Sequence, residues 1–453
     1  MRRHRWLTGA LGSAMWSKRT VVLIAWLYML LASTPCFAAD PQPKPTGEMR
    51  WALYVTFPPA WLDPKEVAVA GLNPFWLIYG LHDALVKPMP GNPMAPSLAE
   101  SWTVSPDQRI YEFKLREGVK FHNGTDFDAQ AAKWNIDRII NPEVKSWIRP
   151  YYEDIEQVEA VDKYTLRIRM KEPSGALPIA LGGYFQGILM ASPKAFETYG
   201  QDWLRHPVGT GPFKFKEWLP GERVILEKNP NYFKKGLPYL DTLEYRVMKD
   251  PLTASTALRA GEIDFFSRVP MQQVPILERS QGIHVVTGLE MAPTIGFLNM
   301  RVKPFDDVRA RRAIGGYGID RAEIAKVAFQ GRAKPLVSVL APGVQDAIDL
   351  NEMYPYRPDE AKRLLKELGY DAKNPLRFAI LIDNQDMTMS DIATLLKNQL
   401  AKIGVEAKIT LVDTVTRVDR VLVKHDFEMF VSSWATLRDI NQRSVSFFNP
   451  DYS

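Results

Sequence analysis

Three pairs of side chains stand where apolar runs end. Asp383-Asn384 closes LRFAILID, Asp413-Thr414 follows VEAKITLV, and Ser433-Trp434 follows FEMFVS. Carboxylate, amide, hydroxyl and an aromatic face can together hold a small polar molecule. Bond-breaking motifs are missing. The six histidines include no HExxH pair, the single cysteine has no partner, and there is no Walker loop, GxSxG elbow or SxxK box. Neither a metal nor a cofactor is expected. Acid–base pairs need no motif, so this alone leaves an exported enzyme open. VGTGPF (208–213) carries the glycines of a phosphate cradle. Pro212 would break the helix start that a cradle needs, so a turn leading into a strand is the better reading.

The elements that position these residues follow from periodicity. RPDEAKRLLKELG has Pro358 in its first turn, Ala361, Leu364, Leu365 and Leu368 on one face, and Gly369 as terminator, which predicts a helix. LRFAILID (376–383) reads as a buried strand. MSDIATLLKNQLAKIG reads as a helix capped by Ser390 and ended by Gly404. VEAKITLVD alternates as a strand, a further helix follows, and FEMFVSS is a strand again. This order predicts an α/β unit with a parallel sheet, in which ligands collect outside the carboxyl ends of the strands. Upstream, the strand MRWALYV runs into the loop TFPPAWLDP, flanked by Tyr54 and Trp61. Aromatic walls suit a site that holds varied side chains without reading them closely. Packing between lobes is the other use for both.

The N-terminus reads as an export signal rather than as fold. Arg2, Arg3, Arg5, Lys18 and Arg19 precede the apolar run Val21 to Ala32, which is shorter than the ~20 residues of a spanning helix. Cleavage after Ala38 would leave Cys36 and Ala38 at the small-residue positions. A lipidated Cys36 is the competing reading, and Pro35 fits it poorly. The five basic residues account for the whole formal charge of +5, since the segment holds no Asp or Glu. The remainder is formally neutral and offers no support for nucleic-acid binding. With 46% hydrophobic and 24% charged residues over 453 positions, the chain can build a large core in two or three domains. An exported protein of this size without a disulfide must rely on that core.

Four blocks of sequence are more specific than any short motif. PSLAESWTVSPDQRIYEFKLREGVKFHNGTDFDAQ contains a hairpin with Tyr111, Phe113 and Leu115 on its dry face. The others are HPVGTGPFKFKEWLPGERVILEKNPNYFKKGLPYLDTLEYRVMKDPLTASTALRAGEIDF (206–265), FDDVRARRAI with its following IDRAEI, and YRPDEAKRLLKELGY. Their types and order resemble the family 5 extracytoplasmic solute-binding proteins, the peptide/nickel type of ABC importer subunit. The resemblance implies a type II periplasmic binding protein fold: α/β, with two hinged ligand-binding lobes and an extra lobe. It implies a signal peptide at 1–38, a first lobe from 47–80 and 206–305, the extra lobe at 81–205, and a third lobe at 306–453. It further implies a monomeric periplasmic protein that catalyses nothing, closes on a short peptide and delivers it to a membrane permease. A nickel chelate, an opine or an oligosaccharide would be other cargoes for the same fold, and presenting ligand to a membrane sensor another use.

Site residues come over from the resemblance position by position. Relatives often carry Trp at the place of Trp434, followed by an acidic residue that pairs with a peptide amine. Here SWATLRDINQRS offers Asp439, although the usual Asp-Pro-Asp pattern is not intact. Core packing for Trp434, and a salt bridge to Arg438 or Arg443 for Asp439, are the alternatives. Asn299, in GFLNMR, corresponds to a residue near the hinge and is expected either to bond ligand or to hold a local turn. Two departures stand out. AIGGYGIDR places Gly315, Gly316 and Gly318 where relatives have helix formers, at about 1 kcal/mol each relative to Ala. Relatives also continue beyond FFNPDYS, so the chain resembles a C-terminally incomplete member.

Overall fold

The computed structural model describes residues 46–54, 63, 75–89, 92–146, 148–175, 177–182, 187–267, 269–289, 293–338, 348–383 and 387–433. The strands are β1 (Glu48–Leu53), β2 (Val86–Met89), β3 (Asn92–Pro96), β4 (Ala99–Val104), β5 (Ile110–Leu115), β6 (Ile155–Ala160), β7 (Thr165–Met170), β8 (Phe213–Leu219), β9 (Arg223–Lys228) and β10 (Thr242–Val247). They continue with β11 (Phe265–Phe266), β12 (Thr294–Leu298), β13 (Leu376–Asp383), β14 (Val405–Val412) and β15 (Met429–Ser433). The helices are α1 (Phe75–Leu81), α2 (Ala129–Ile140), α3 (Leu177–Leu181), α4 (Pro193–Tyr199), α5 (Pro251–Ala260), α6 (Val274–Glu278), α7 (Val308–Arg311), α8 (Arg321–Val327), α9 (Pro358–Glu367), α10 (Met387–Lys402) and α11 (Thr414–Val418).

Among the described residues the strands form four sheets, the smallest being the antiparallel pair β2–β3. The hairpin β4–β5 turns through Ser105–Arg109 and buries Tyr111, Phe113 and Leu115. It belongs to the sheet β4-β5-β7-β6, whose inner face packs on α2 through Ile136 and Ile139. A second sheet runs β11-β1-β10-β9-β8, with β1 parallel to β10 and β11. Its core holds Leu53, Leu226, Tyr245 and the apolar face of α1. The third sheet runs β12-β15-β13-β14. Here β13 lies parallel to both β14 and β15, as the strand–helix order requires, while β12 is antiparallel to β15. The sheet is therefore mixed rather than all-parallel. It draws in residues 294–298, upstream of the division expected at 305/306.

Local signals account for most element ends. Asp128 and Asp250 cap α2 and α5, and Gly261, Gly369 and Gly404 take positive φ just beyond α5, α9 and α10. Helix α10 differs from the reading of its cap. It begins at Met387, so Ser390 sits inside the first turn, where its carbonyl accepts from the Thr394 hydroxyl. The glycine cluster forms a π-helical turn, Arg312–Tyr317, between α7 and α8. VGTGPF is a close backbone crossing that leads directly into β8. A Cβ on Gly209 would lie 2.2 Å from the Leu81 carbonyl oxygen, and one on Gly211 would lie 2.5 Å from the Leu81 carbonyl carbon. Only glycine lets this strand approach the end of α1 so closely.

Candidate functional site

The third sheet presents its carboxyl ends together. Asp383 ends β13, Asp413 follows β14, and Ser433 ends β15. Asp413 caps α11: its Oδ1 accepts from the Thr416 amide at 3.0 Å and its Oδ2 from the Thr416 hydroxyl at 2.7 Å. One turn further on, the Arg417 Nε donates to Asp383 Oδ2 at 3.2 Å. Both partners are largely buried, with Arg417 exposed by 11% and Asp383 by 18%. Strand register thus sets two carboxylates and a guanidinium along one edge, and the spacing Asp413 to Arg417 follows the first turn of the helix.

In the second sheet, Tyr54 follows β1 directly and lies half-buried against the Leu53 and Tyr245 core. Trp61 lies outside the described residues, as do Trp434 and Asp439. Asp63, in the same loop as Trp61, is described and buried. The Arg138 guanidinium meets its two carboxylate oxygens at 2.9 and 2.5 Å, and the Trp203 indole N–H donates to it at 3.4 Å. The rings of Trp134, Phe196 and Trp203 surround the same guanidinium at 5.6, 5.1 and 5.6 Å. This pair ties the loop after β1 to α2 and α4. It was not legible as a contact, because 75 residues separate its members.

Asn299 is spent on the chain's own backbone. Its Nδ2 donates to the carbonyls of His425 and Phe427 at 2.9 and 2.8 Å, and its Oδ1 accepts from the Arg301 amide at 3.0 Å. This is the local turn geometry that stood beside ligand contact in the sequence reading. Among the described residues, no three His, Cys, Asp or Glu side chains gather as a metal site. Histidine occurs instead at the crossing of α1 with the strand leading into β8. His82 is fully buried with Nδ1 3.1 Å from the Met190 carbonyl, and His122 places Nε2 3.0 Å from the Gly211 carbonyl. Burial lowers each to about 4.

Comparison with known proteins identifies the family and the fold. A sequence model of the bacterial extracellular solute-binding proteins, family 5, middle region, matches residues 93–449. The chain belongs to this family. The glutathione-binding protein GsiB of Escherichia coli O1:K1 / APEC is 35% identical over 344 residues, which make up 75% of this chain and 66% of that protein. The chain thus spans just under two thirds of the length of that relative. Among solved structures, the ABC transporter substrate-binding protein CtaP of Listeria monocytogenes superposes with a TM-score of 0.79 at 24% identity, over 90% of this chain and 83% of that one. The periplasmic binding protein DppA of Helicobacter pylori, in complex with the peptide STSA, gives 0.74 at 25% identity, over 88% and 80%. The fold of this family 5 member is therefore that of the type II periplasmic binding proteins, and its relatives are binding proteins rather than enzymes. Among the described residues no helix is long and apolar enough to cross a membrane.

Proposed function

We propose that this family 5 chain is the cargo-binding subunit of an ABC importer, acting as a periplasmic monomer with short peptides as cargo. The observation that carries this reading is its 35% identity, over 344 residues, to a glutathione-binding protein. The H. pylori neighbour solved with the peptide STSA supports it. Export would follow cleavage after Ala38, giving a mature chain that starts at Ala39 and holds no thiol. The cargo would lie between the sheet that contains β1 and the carboxyl ends of β13–β15. Lobe closure would bury it, and the closed form would dock on the permease. The lobes would be 47–80 with 206–305, 81–205, and 306–453, except that β12 would pass from the first of these to the third. A peptide amine entering such a cleft needs a carboxylate, because an unpaired buried charge costs several kcal/mol. Asp439, Asp383 and Asp413 are the candidates.

Mass spectrometry of small molecules co-purified with the exported protein tests the cargo directly. The matching peptide should raise the melting temperature, since a hundredfold excess over Kd adds about 2.7 kcal/mol to stability. Acetylating the peptide amine should weaken binding about ten- to a hundredfold. Stabilisation by nickel alone, with peptides inert, would replace the peptide by a metal chelate. Turnover of the bound molecule would make the protein an enzyme.

A further inference from the structure

A sheet edge is an open row of backbone donors and acceptors, and proteins blunt such edges with bulges or short strands. Among the described residues this chain blunts most of its own. β4, β6 and β8 each end a sheet, and each carries a register shift against its neighbour, at Ala99/Ser101, Ile155/Gln157 and Phe215/Glu217. β11 has two residues and β12 five. β14 is different. It ends the third sheet, runs for eight residues, and pairs with β13 at every position without a shift. No backbone hydrogen bond joins its other edge to any described residue. Val405, Ile409, Thr410 and Val412 are β-branched, and Leu411 is exposed. Val405 and Ala407 are buried in the core shared with α10. On the opposite face Glu406 and Lys408 stand exposed, two residues apart. Glu406 accepts from the Arg377 Nε at 2.7 Å, whereas Lys408 has no ion pair among the described residues.

We propose that β14 is a pairing edge for a second copy of this chain, lying antiparallel about a two-fold axis at Ala407. A lysine on an edge keeps a copy away by like charge. The register decides whether it does so here. A two-fold axis perpendicular to the sheet preserves its faces, so each residue meets one an even number of positions away. Centred on Glu406 or Lys408, the copies would oppose two carboxylates or two ammonium groups. Centred on Ile409, they would leave both charges without a partner. Centred on Ala407, Glu406 faces Lys408 of the second copy, and Lys408 faces Glu406 of the second copy. Each Glu406 then lies between Arg377 and that lysine, a charge ladder across three strands. On the α10 face Val405 meets Ile409 of the second copy, and the small Ala407 sits on the axis. The paired stretch is 405–409, so the carboxyl end of β14 at Val412 and Asp413 stays clear. A contact of this size makes a weak, closed dimer. The monomer proposed above is its dilute form.

Sedimentation equilibrium of the full chain from about 1 µM to 1 mM tests this. We expect a monomer–dimer equilibrium that stops at the dimer. Glu406→Lys and Lys408→Glu should each weaken association about ten- to a hundredfold, because each sets like charges opposite one another at both pairs. An equimolar mixture of the two variants should associate about as tightly as the unmodified chain, since one copy of each again brings opposite charges together at both pairs. Circular dichroism of each variant checks its fold. Should a reversal fail to fold, Lys408→Gln takes its place and should weaken association about three- to tenfold. A monomer at every concentration would overturn the proposal. So would a dimer that neither reversal weakens, which would put the contact on another face or in another register. A mixture no tighter than the single variants would overturn the pairing of Glu406 with Lys408, and growth beyond the dimer would overturn the closed two-fold contact. Each of these results leaves the cargo-binding reading standing.

Discussion

At Gly315, Gly316 and Gly318 the sequence shows three helix-weakening residues in a row of four, and the structure gives a close contact at Gly316 and Gly318 but none at Gly315. A Cβ on Gly315 would meet nothing closer than Leu298 Cδ1 at 3.7 Å, which is ordinary contact. On Gly316 it would press on the Tyr354 ring at 3.1 Å, and on Gly318 it would fall 2.6 Å from the Ala313 carbonyl and 2.8 Å from Ile403 Cδ1. Gly315→Ala should therefore stabilise by about 0.4–1 kcal/mol, while Gly318→Ala should destabilise by about 1–3 kcal/mol. Urea unfolding of the two variants checks this, and the same sign for both would refute it. The buried histidines make a second prediction at this scale. The Gly209 amide donates to His122 Nδ1 at 3.3 Å, so Nε2 carries the proton towards Gly211 and the ring is neutral. His82 and His122 titrate near 4 in the fold against 6.5 when unfolded. Between those values the unfolded chain binds more protons, so stability is complete above about pH 6.5 and falls as the pH drops towards 4. The slope of unfolding free energy against pH near 5 should correspond to an uptake by these rings approaching about two protons. Replacing His122 with Asn should flatten it, and an unchanged slope would count against this assignment.

Elements with a local rule were legible in the sequence. The dry face of β5, the Pro358 start of α9 and the Gly404 stop of α10 rest on period, cap and terminator within a few residues. What escaped depends on distant partners. β12 reads as an apolar strand, but only its pairing with β15, from Thr294 to Ser433, assigns it to the third sheet. The start of α10 escaped because Ser390 is a good cap residue in a position that the helix had already passed. Arg417 could have been noticed as a cation one turn after the Asp413 cap, but its contact with Asp383 is a fact of packing. The loop after β1 shows the same limit, since Asp63 has no sequence signal for Arg138. Both are deeply buried, and removing one charge leaves the other uncompensated. Asp63→Asn should therefore destabilise the fold by about 3–5 kcal/mol, well beyond a surface pair. Chemical denaturation measures this, and a loss below about 1 kcal/mol would mean that the pair is screened like an exposed one.

Across the whole molecule, the connector between β11 and β12 makes polar contacts with the helical elements beside the third sheet. Gln272 Nε2 donates to Asp391 Oδ2 at 2.9 Å, and Gln330 Nε2 donates to the Met271 carbonyl at 2.9 Å. The Arg332 guanidinium reaches Glu278 at 2.8 Å. All three join the segment carrying α6 to α10 or to the turn after α8. The charged pair is about a third exposed and contributes on the order of 0.2–1 kcal/mol. Two neutral hydrogen bonds add about 0.5–1.5 kcal/mol each. Sums of this size are what a binding protein needs to hold a closed state against an open one without locking it, because a ligand shifts the balance only by its differential affinity. If the connector moves with the first lobe, these bonds exist only in the closed form. Gln272→Ala combined with Gln330→Ala should then weaken cargo binding about three- to thirtyfold, enlarge the unliganded particle in X-ray scattering, and leave the liganded particle unchanged. Both residues stand away from Asp383, Arg417 and Tyr54 in sequence and element, so a loss of affinity would report the equilibrium rather than a missing contact with cargo. Unchanged affinity together with an unchanged unliganded particle would show that the connector travels with the third sheet, and would place the hinge upstream of Met271.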